Sequence, residues 1–213
     1  MTRPTLPPRK PWQILRLRRR KSAPFVQTMQ PLDAVLLAVD TAHGAGWALY
    51  RCGGLVAFGE IRTSRTADRR AIVAQTLALA RRLERPAAIA LEAPWGGPLG
   101  TIISLAQSVA LWRDSWLDAD AHERTVLELQ AREWRRTLFG GGNLPRLEQR
   151  SLEQITARRI AAEAGLAEHV PPGPDASAAI CLGYVCRRSA ELQARLRCEL
   201  VEAPPRTLRR PRA

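Results

Sequence analysis

AVLLAVDTAHGAGWALY, residues 34–50, is the stretch on which the fold turns. Its apolar run 34–39 ends on Asp40, passes through a turn of small residues and resumes as a second apolar run. An unbroken apolar run of this length, without polar alternation, suits a strand covered on both faces. Such a strand ending on an acid delivers a carboxylate to the edge of a sheet. The segment continues as GWALYRC, a Gly-Gly turn at Gly53 and Gly54, and LVAFGEI, which predicts two further strands in hairpin order.

Outward from this meander the pattern changes to helix and strand in alternation. Residues 66–84 place Ile72, Val73, Leu77, Leu79, Ala80 and Leu83 mostly on one side with arginines largely opposite, as in an amphipathic helix, and Pro86 ends it. AAIALE is a short apolar strand that also finishes on an acid, Glu92. LGTIISLAQSVALWRDSW predicts a helix apolar enough to be buried or to face a partner. TVLEL reads as a fifth strand, AREWRRTLF as a short helix, and GGGN at 140–143 as a loop. A helix follows over 146–164, PPGP at 171–174 breaks the chain, and a last helix runs from 175 to about 192.

This order predicts an α/β fold, a mixed five-stranded sheet flanked by helices. Two strands joined through one helix are expected to lie side by side and parallel, which brings Asp40 and Glu92 together at the carboxyl edge, where open α/β sheets bind ligands. Adjacent carboxylates repel unless a cation lies between them. Oxygen ligands suit a hard ion such as Mg²⁺, which takes one or two carboxylates and fills its remaining positions with water and phosphate. Asp175, after PPGP, opens the last helix, where a negative charge is favoured; plain capping explains it equally well.

Four segments, AVDTAHGAGWALY, AIALEAPW, REWRRTLFGGGNLPR and DASAAICLGYV, together resemble the RuvC family of Holliday-junction resolvases, in the ribonuclease-H-like superfamily. The resemblance spans residues 34–190 in the family's order. It implies a structure-specific endodeoxyribonuclease that resolves four-way junctions by paired nicks, leaving 5′-phosphate and 3′-hydroxyl ends, and that acts as a homodimer on branched DNA. By the same resemblance Asp40, Glu92 and Asp175 are catalytic and bind metal, two Mg²⁺ ions being expected, with Mn²⁺ as a substitute. Trp95, three residues after the glutamate, corresponds to an aromatic that stacks on unpaired bases, and stacking contributes roughly 1–3 kcal/mol per base. Arg135 and Arg146 match basic residues flanking the glycine-rich loop that contact the scissile phosphate region, and Arg132 and Arg136 extend that positive surface. The LGTIISLAQSVALW helix is the expected dimer face, since an exposed apolar face is otherwise a liability.

The chain departs from the family at two points. Where the family has Asp-Pro-Gly after the first strand, this sequence has Asp40-Thr41-Ala42. Where the family's last helix carries two acids three apart, only Asp175 is present. Aligned as the first acid it puts Ala178 at the second position; aligned as the second it puts Pro172 at the first. The former continues the helix pattern better. Three carboxylates hold two ions only if water and phosphate complete the shells. Two alternatives follow: a related nuclease acting on flaps, forks or RNA–DNA hybrids, or a catalytically weakened branched-DNA-binding protein. His43, His122 and His169 read as surface histidines. An actin-like or sugar-kinase ATPase needs a duplicated domain that 213 residues do not hold.

Composition sets the outer bounds. A hydrophobic fraction of 46% in 213 residues supports one domain with a full core. The net charge of +13 sits almost wholly in two acid-free, proline-containing stretches, residues 1–23 and 203–213. The first carries Arg3, Arg9, Lys10, Arg16, Arg18, Arg19, Arg20 and Lys21, and the second Arg206, Arg209, Arg210 and Arg212. The organisation expected is a basic arm and linker over 1–33, a nuclease domain over 34–192 and a basic tail over 193–213. Such arms suit a polyanion, through counterion release, or are simply solvated; Met29 is an alternative start that would remove the first. The four cysteines, Cys52, Cys181, Cys186 and Cys198, have neither zinc-site nor disulfide-framework spacing. No apolar run approaches the roughly 20 residues of a membrane span, and a cytoplasmic protein without a small-molecule cofactor is expected.

Overall fold

Alternation along the first apolar run divides the core in two. The computed structural model describes residues 35–41, 45–61, 69–94, 98–118, 125–140, 144–166 and 171–189. In it Leu36 and Ala38 of β1 (Leu36–Asp40) join one apolar cluster, and Leu37 and Val39 join another on the opposite face. Since successive strand residues point to opposite faces, a strand buried on both sides has to be apolar throughout. Four of its five residues are buried accordingly, and only Asp40 is partly open.

The sheet has five strands in the order β3-β2-β1-β4-β5. β1 pairs antiparallel with β2 (Ala45–Arg51), and β2 antiparallel with β3 (Gly54–Ile61). On its other side β1 pairs parallel with β4 (Ala88–Ala93), and β4 parallel with β5 (Thr125–Gln130). The mixed sheet expected from the order of elements is thus present, with the parallel neighbours where single-helix crossovers put them.

Helices cover both faces. α1 (Arg69–Leu83) and α2 (Leu99–Asp118) supply Ile72, Val73, Leu77, Val109, Trp112 and Trp116 to the cluster beneath Leu37, Val39 and Leu91. α3 (Ala131–Phe139), α4 (Arg146–Glu163) and α5 (Pro174–Arg188) cover the other face, and α5 is buried along most of its length. Tyr50 of β2 fastens α5 to the sheet: its hydroxyl donates to the Ile180 carbonyl at 2.7 Å, and burial holds its ionisation well above the usual tyrosine value. Arg69 of α1 donates to the Ser104 carbonyl and hydroxyl of α2 at 3.3 and 3.1 Å, which ties the two outer helices together.

Local details differ from the sequence reading in three places. Leu83, expected on the buried side of α1, is 48% exposed, and Thr76 is buried instead, donating to the Ile72 carbonyl at 2.9 Å. Thr76 and Leu83 are seven residues apart and share one side of the helix, so the difference lies in position along it: Leu83 is its last residue. The hairpin turn falls on Cys52 and Gly53 rather than on Gly53 and Gly54, and Gly54 pairs with Arg51 as the first residue of β3. α5 starts at Pro174, where a missing N–H costs nothing in the first turn. Cys181 and Cys186 are buried and Cys52 is exposed, as small core and surface residues, and none of the three is in a disulfide. The basic arms, 1–33 and 193–213, lie outside the described residues with Met29 and Cys198, as do His43, His122 and His169. No described helix is long and apolar enough to cross a membrane.

Cys52 and Gly53 both have positive φ, 48° and 81°, as a two-residue hairpin turn matched to strand twist requires. Asn-Gly is the favoured pair for that turn, and a side chain without Asn's tolerance of the left-handed region carries a cost of about 1 kcal/mol. Cys52→Asn is therefore expected to stabilise the protein by up to about 1 kcal/mol. The midpoint of urea unfolding reads this directly, and a lower midpoint would contradict it.

Candidate active site

Asp40 and Glu92 reach the carboxyl edge of the sheet on the same face. β1 and β4 run parallel with Val39 opposite Leu91, so the next residue of each strand stands beside the other. Asp40 has the parity of Leu36 and Ala38, and Glu92 that of Ala88 and Ala90; all four of those apolar residues lie in the cluster under α5. Thr41 locks the strand ends: its hydroxyl donates to the Glu92 backbone carbonyl at 3.0 Å, and its own carbonyl accepts from the Ser108 hydroxyl of α2 at 2.9 Å. Both Thr41 and Ser108 are buried. The residue after Asp40, which departs from the Pro of the family motif, thus supplies a side-chain tether.

Asp175 comes to the same place from the start of α5. The N–H groups of Asp175 and Ala176 donate to Glu60 Oε1 of β3 at 2.9 and 3.0 Å, so a sheet residue caps the helix that Gly173 leaves without a side-chain cap. Gly46 of β2 permits the approach, because a Cβ there would overlap the Asp175 carbonyl. Asp40, Glu92 and Asp175 all line one cleft of about 1240 Å³. Ala178 lines it too, one turn on from Asp175, so positions 175 and 178 share the face on which the family carries its two acids.

The cleft contains a fourth carboxylate that sequence reasoning missed. Glu153 of α4 is 4% exposed and accepts from Arg135 Nε at 2.6 Å. Arg135 Nη2 lies 3.7 Å from Glu92 Oε1, and the guanidinium sits 4.7 Å from the ring centre of Trp134. Trp134, fully buried, donates its indole N–H to Glu92 Oε2 at 3.0 Å. Its role was also missed. Glu153 is one turn before Ala157 and two before Ile160 and Ala161, all buried, so an acid on the apolar stripe of an amphipathic helix was the available signal.

Arg135 therefore stands among acids. Burial alone pulls its ionisation down, but Glu92 and Glu153 outweigh this and raise it further. Burial also raises the Glu92 carboxyl above its ordinary value of 4.5, and Glu153 adds to the rise against the opposing pull of Arg135 and the Trp134 hydrogen bond. Arg132, Arg136, Arg146 and Arg150 line the cleft around this acidic floor. Arg132, Arg136 and Arg146 are exposed, as expected of a positive rim. Trp95 lies outside the described residues. Among the described residues no three of His, Cys, Asp and Glu are grouped to hold one metal ion. The donor set still fits Mg²⁺, because Asp40 and Glu92 on neighbouring strands supply the one or two carboxylates that ion takes beside water and phosphate.

Solved structures share this arrangement of strands and helices. Thermus thermophilus RuvC in complex with a Holliday junction substrate aligns over 76% of this chain and 95% of its own, with a TM-score of 0.53 at 15% identity. The fold is that of the RuvC-type resolvases. A second Thermus thermophilus RuvC structure aligns over the same shares with a TM-score of 0.50 at 18% identity. Fowlpox virus resolvase with Holliday junction DNA covers 76% of this chain and 99% of its own, with a TM-score of 0.51 at 11% identity. No protein-family model matches the sequence, and no curated protein sequence matches it. The RuvC-type, ribonuclease-H-like sheet anticipated from the sequence is thus the fold, with Asp40 and Glu92 at its carboxyl edge.

A carboxyl raised in the folded state keeps its proton to higher pH than in the unfolded chain, so stability falls as pH rises through 4.5 to the raised value and stays reduced above it. Glu92→Gln mimics the protonated form and keeps an acceptor for Trp134. In EDTA at pH 7.5 the variant is expected to melt at a higher temperature than the parent, with the difference vanishing below about pH 4. A difference independent of pH would show that ionised Glu92 is not disfavoured.

Proposed function

We propose that this protein is a divalent-metal-dependent endonuclease that cuts four-way DNA junctions by paired nicks, leaving 5′-phosphate and 3′-hydroxyl ends. The observation that carries the reading is the convergence of Asp40, Glu92 and Asp175 on one arginine-rimmed cleft at the carboxyl edge of a RuvC-type sheet. Likeness to resolvases at 11–18% identity supports the fold, and the chemistry rests on these side chains.

Asp40 and Glu92 would hold Mg²⁺, or Mn²⁺ in its place, with Asp175 on the facing helix end. Bound there, the ion supplies Lewis acidity at the phosphodiester and a more acidic water. Two ions require phosphate oxygens and water at positions that a fourth acid holds in the family. Arg146, Arg132 and Arg136 draw the DNA backbone to the rim, and Arg135 offers the phosphate a charge from within the cleft. Trp95 remains the proposed base-stacking wedge. A twofold dimer would address the two equivalent strands of a junction, and the exposed Leu99 and Ile103 of α2 are consistent with the dimer face.

One observation favours a second reading, a branched-DNA-binding protein with weakened catalysis: the cation lodged beside Glu92 is the Arg135 guanidinium, and no three acids are grouped for a metal among the described residues. Nicking assays on four-way, flap, fork and RNA–DNA hybrid substrates in Mg²⁺ or Mn²⁺ separate the readings. Symmetric nicks on the four-way junction are expected, and Asp40→Asn is expected to abolish them while junction affinity stays within about twofold. Cleavage surviving in Asp40→Asn would remove the nuclease assignment. Leu99→Glu with Ile103→Glu is expected to convert a dimer to a monomer by light scattering; an unaltered dimer places the interface elsewhere.

A further inference from the structure

Glu153 has no role in the reaction proposed above, yet its side chain is only 5% exposed against 18% for Glu92. An ionised carboxylate at that depth is costly unless paired and hydrogen-bonded. Arg135 supplies both, through Nε at 2.6 Å. The same guanidinium faces Glu92 on its other side, but at 3.7 Å, beyond hydrogen-bond range. Glu92 takes its hydrogen bond from the Trp134 indole instead.

The arginine is thus poised between two acids and bonded to the one farther from the cleft mouth. Guanidinium and carboxylate favour a bidentate pair when nothing else holds either group. Without the charge of Glu153, the nearest acid left to Arg135 is Glu92, and a closed Arg135–Glu92 pair would occupy the oxygens that an ion needs. We propose that Glu153 is a positioning residue that holds the Arg135 guanidinium back from Glu92 and so keeps the Glu92 carboxylate open to a divalent cation. The proposal rests on the reading of Glu92 as a metal ligand. Glu153 acts only through Arg135, and it is itself no ligand.

Two measurements on the full chain test this. Glu153→Gln keeps an acceptor for Arg135 Nε and removes a buried charge, which preserves the packing. By calorimetric Mn²⁺ titration it is expected to weaken binding about tenfold, and by less than about twofold when made in an Arg135→Gln background. Arg135→Gln alone is expected to tighten Mn²⁺ binding, which provides an arm that does not depend on the Glu153 variant folding. Unchanged affinity in Glu153→Gln, an equal loss with and without Arg135, or no tightening in Arg135→Gln would each overturn the proposal. A crystal structure of Glu153→Gln is expected to place Arg135 in hydrogen-bond contact with Glu92, and a guanidinium that stays in its present position would overturn it too. Should the parent chain take up no Mn²⁺, the reading of Glu92 as a ligand fails, while the crystal structure still decides whether Glu153 restrains Arg135.

Discussion

Everything at the carboxyl edge follows from one constraint, the parallel pairing of β1 with β4 in a register that sets Asp40 beside Glu92 on one face. Like charges at neighbouring strand ends demand a counter-charge. The fold answers with Arg135, carried on a helix that follows β5 without a break. The arginine in turn requires Glu153 and Trp134 around it, so α3 and α4 are committed to the same corner. The cleft holds a small charge network whose members come from separate elements of the chain, with the guanidinium between Glu92 and Glu153 and within the influence of Asp40.

Around that network the interior is mostly apolar. Both faces of β1 are sealed, with α5 on one side and α1 and α2 on the other. The ties that aim the strand ends are short and buried: Thr41 to the Glu92 carbonyl, Ser108 to Thr41, Tyr50 to α5. Each joins elements far apart in sequence. The edge is therefore tied at the strand termini, while the arginines of the rim are exposed.

Much of this was legible in the sequence because it depends on local patterns. The unbroken apolar run before Asp40, the acid at the end of AAIALE and the helix–strand alternation sufficed for a mixed five-stranded sheet and the placing of Asp40 beside Glu92. Asp175 was legible from its place after PPGP. What escaped was set by contacts between distant segments. Glu60 looks like one more strand acid until α5 is laid against it. Glu153 was hidden among the polar residues of α4, although its register with Ala157 and Ile160 marks it as inward-facing. The turn was misplaced by one residue because Gly54 looked as suitable as Cys52, and only pairing with Arg51 assigns it to a strand. Arg135 was legible as a cation beside the glycine-rich loop but not as the partner of two acids.

The cap that Glu60 places on α5 also bears on how the cleft handles anions. Exposed N–H groups at the start of a helix ordinarily make a landing place for phosphate. Here two of them are already spent on a carboxylate from the neighbouring strand, and Asp175 adds negative charge at the same terminus. That end of the cleft is thus electrically unattractive to an anion, and the arginines among the lining residues come from α3 and α4. The pocket is therefore electrically lopsided, with an acid-capped helix start at one end and arginines along the helices that follow β5.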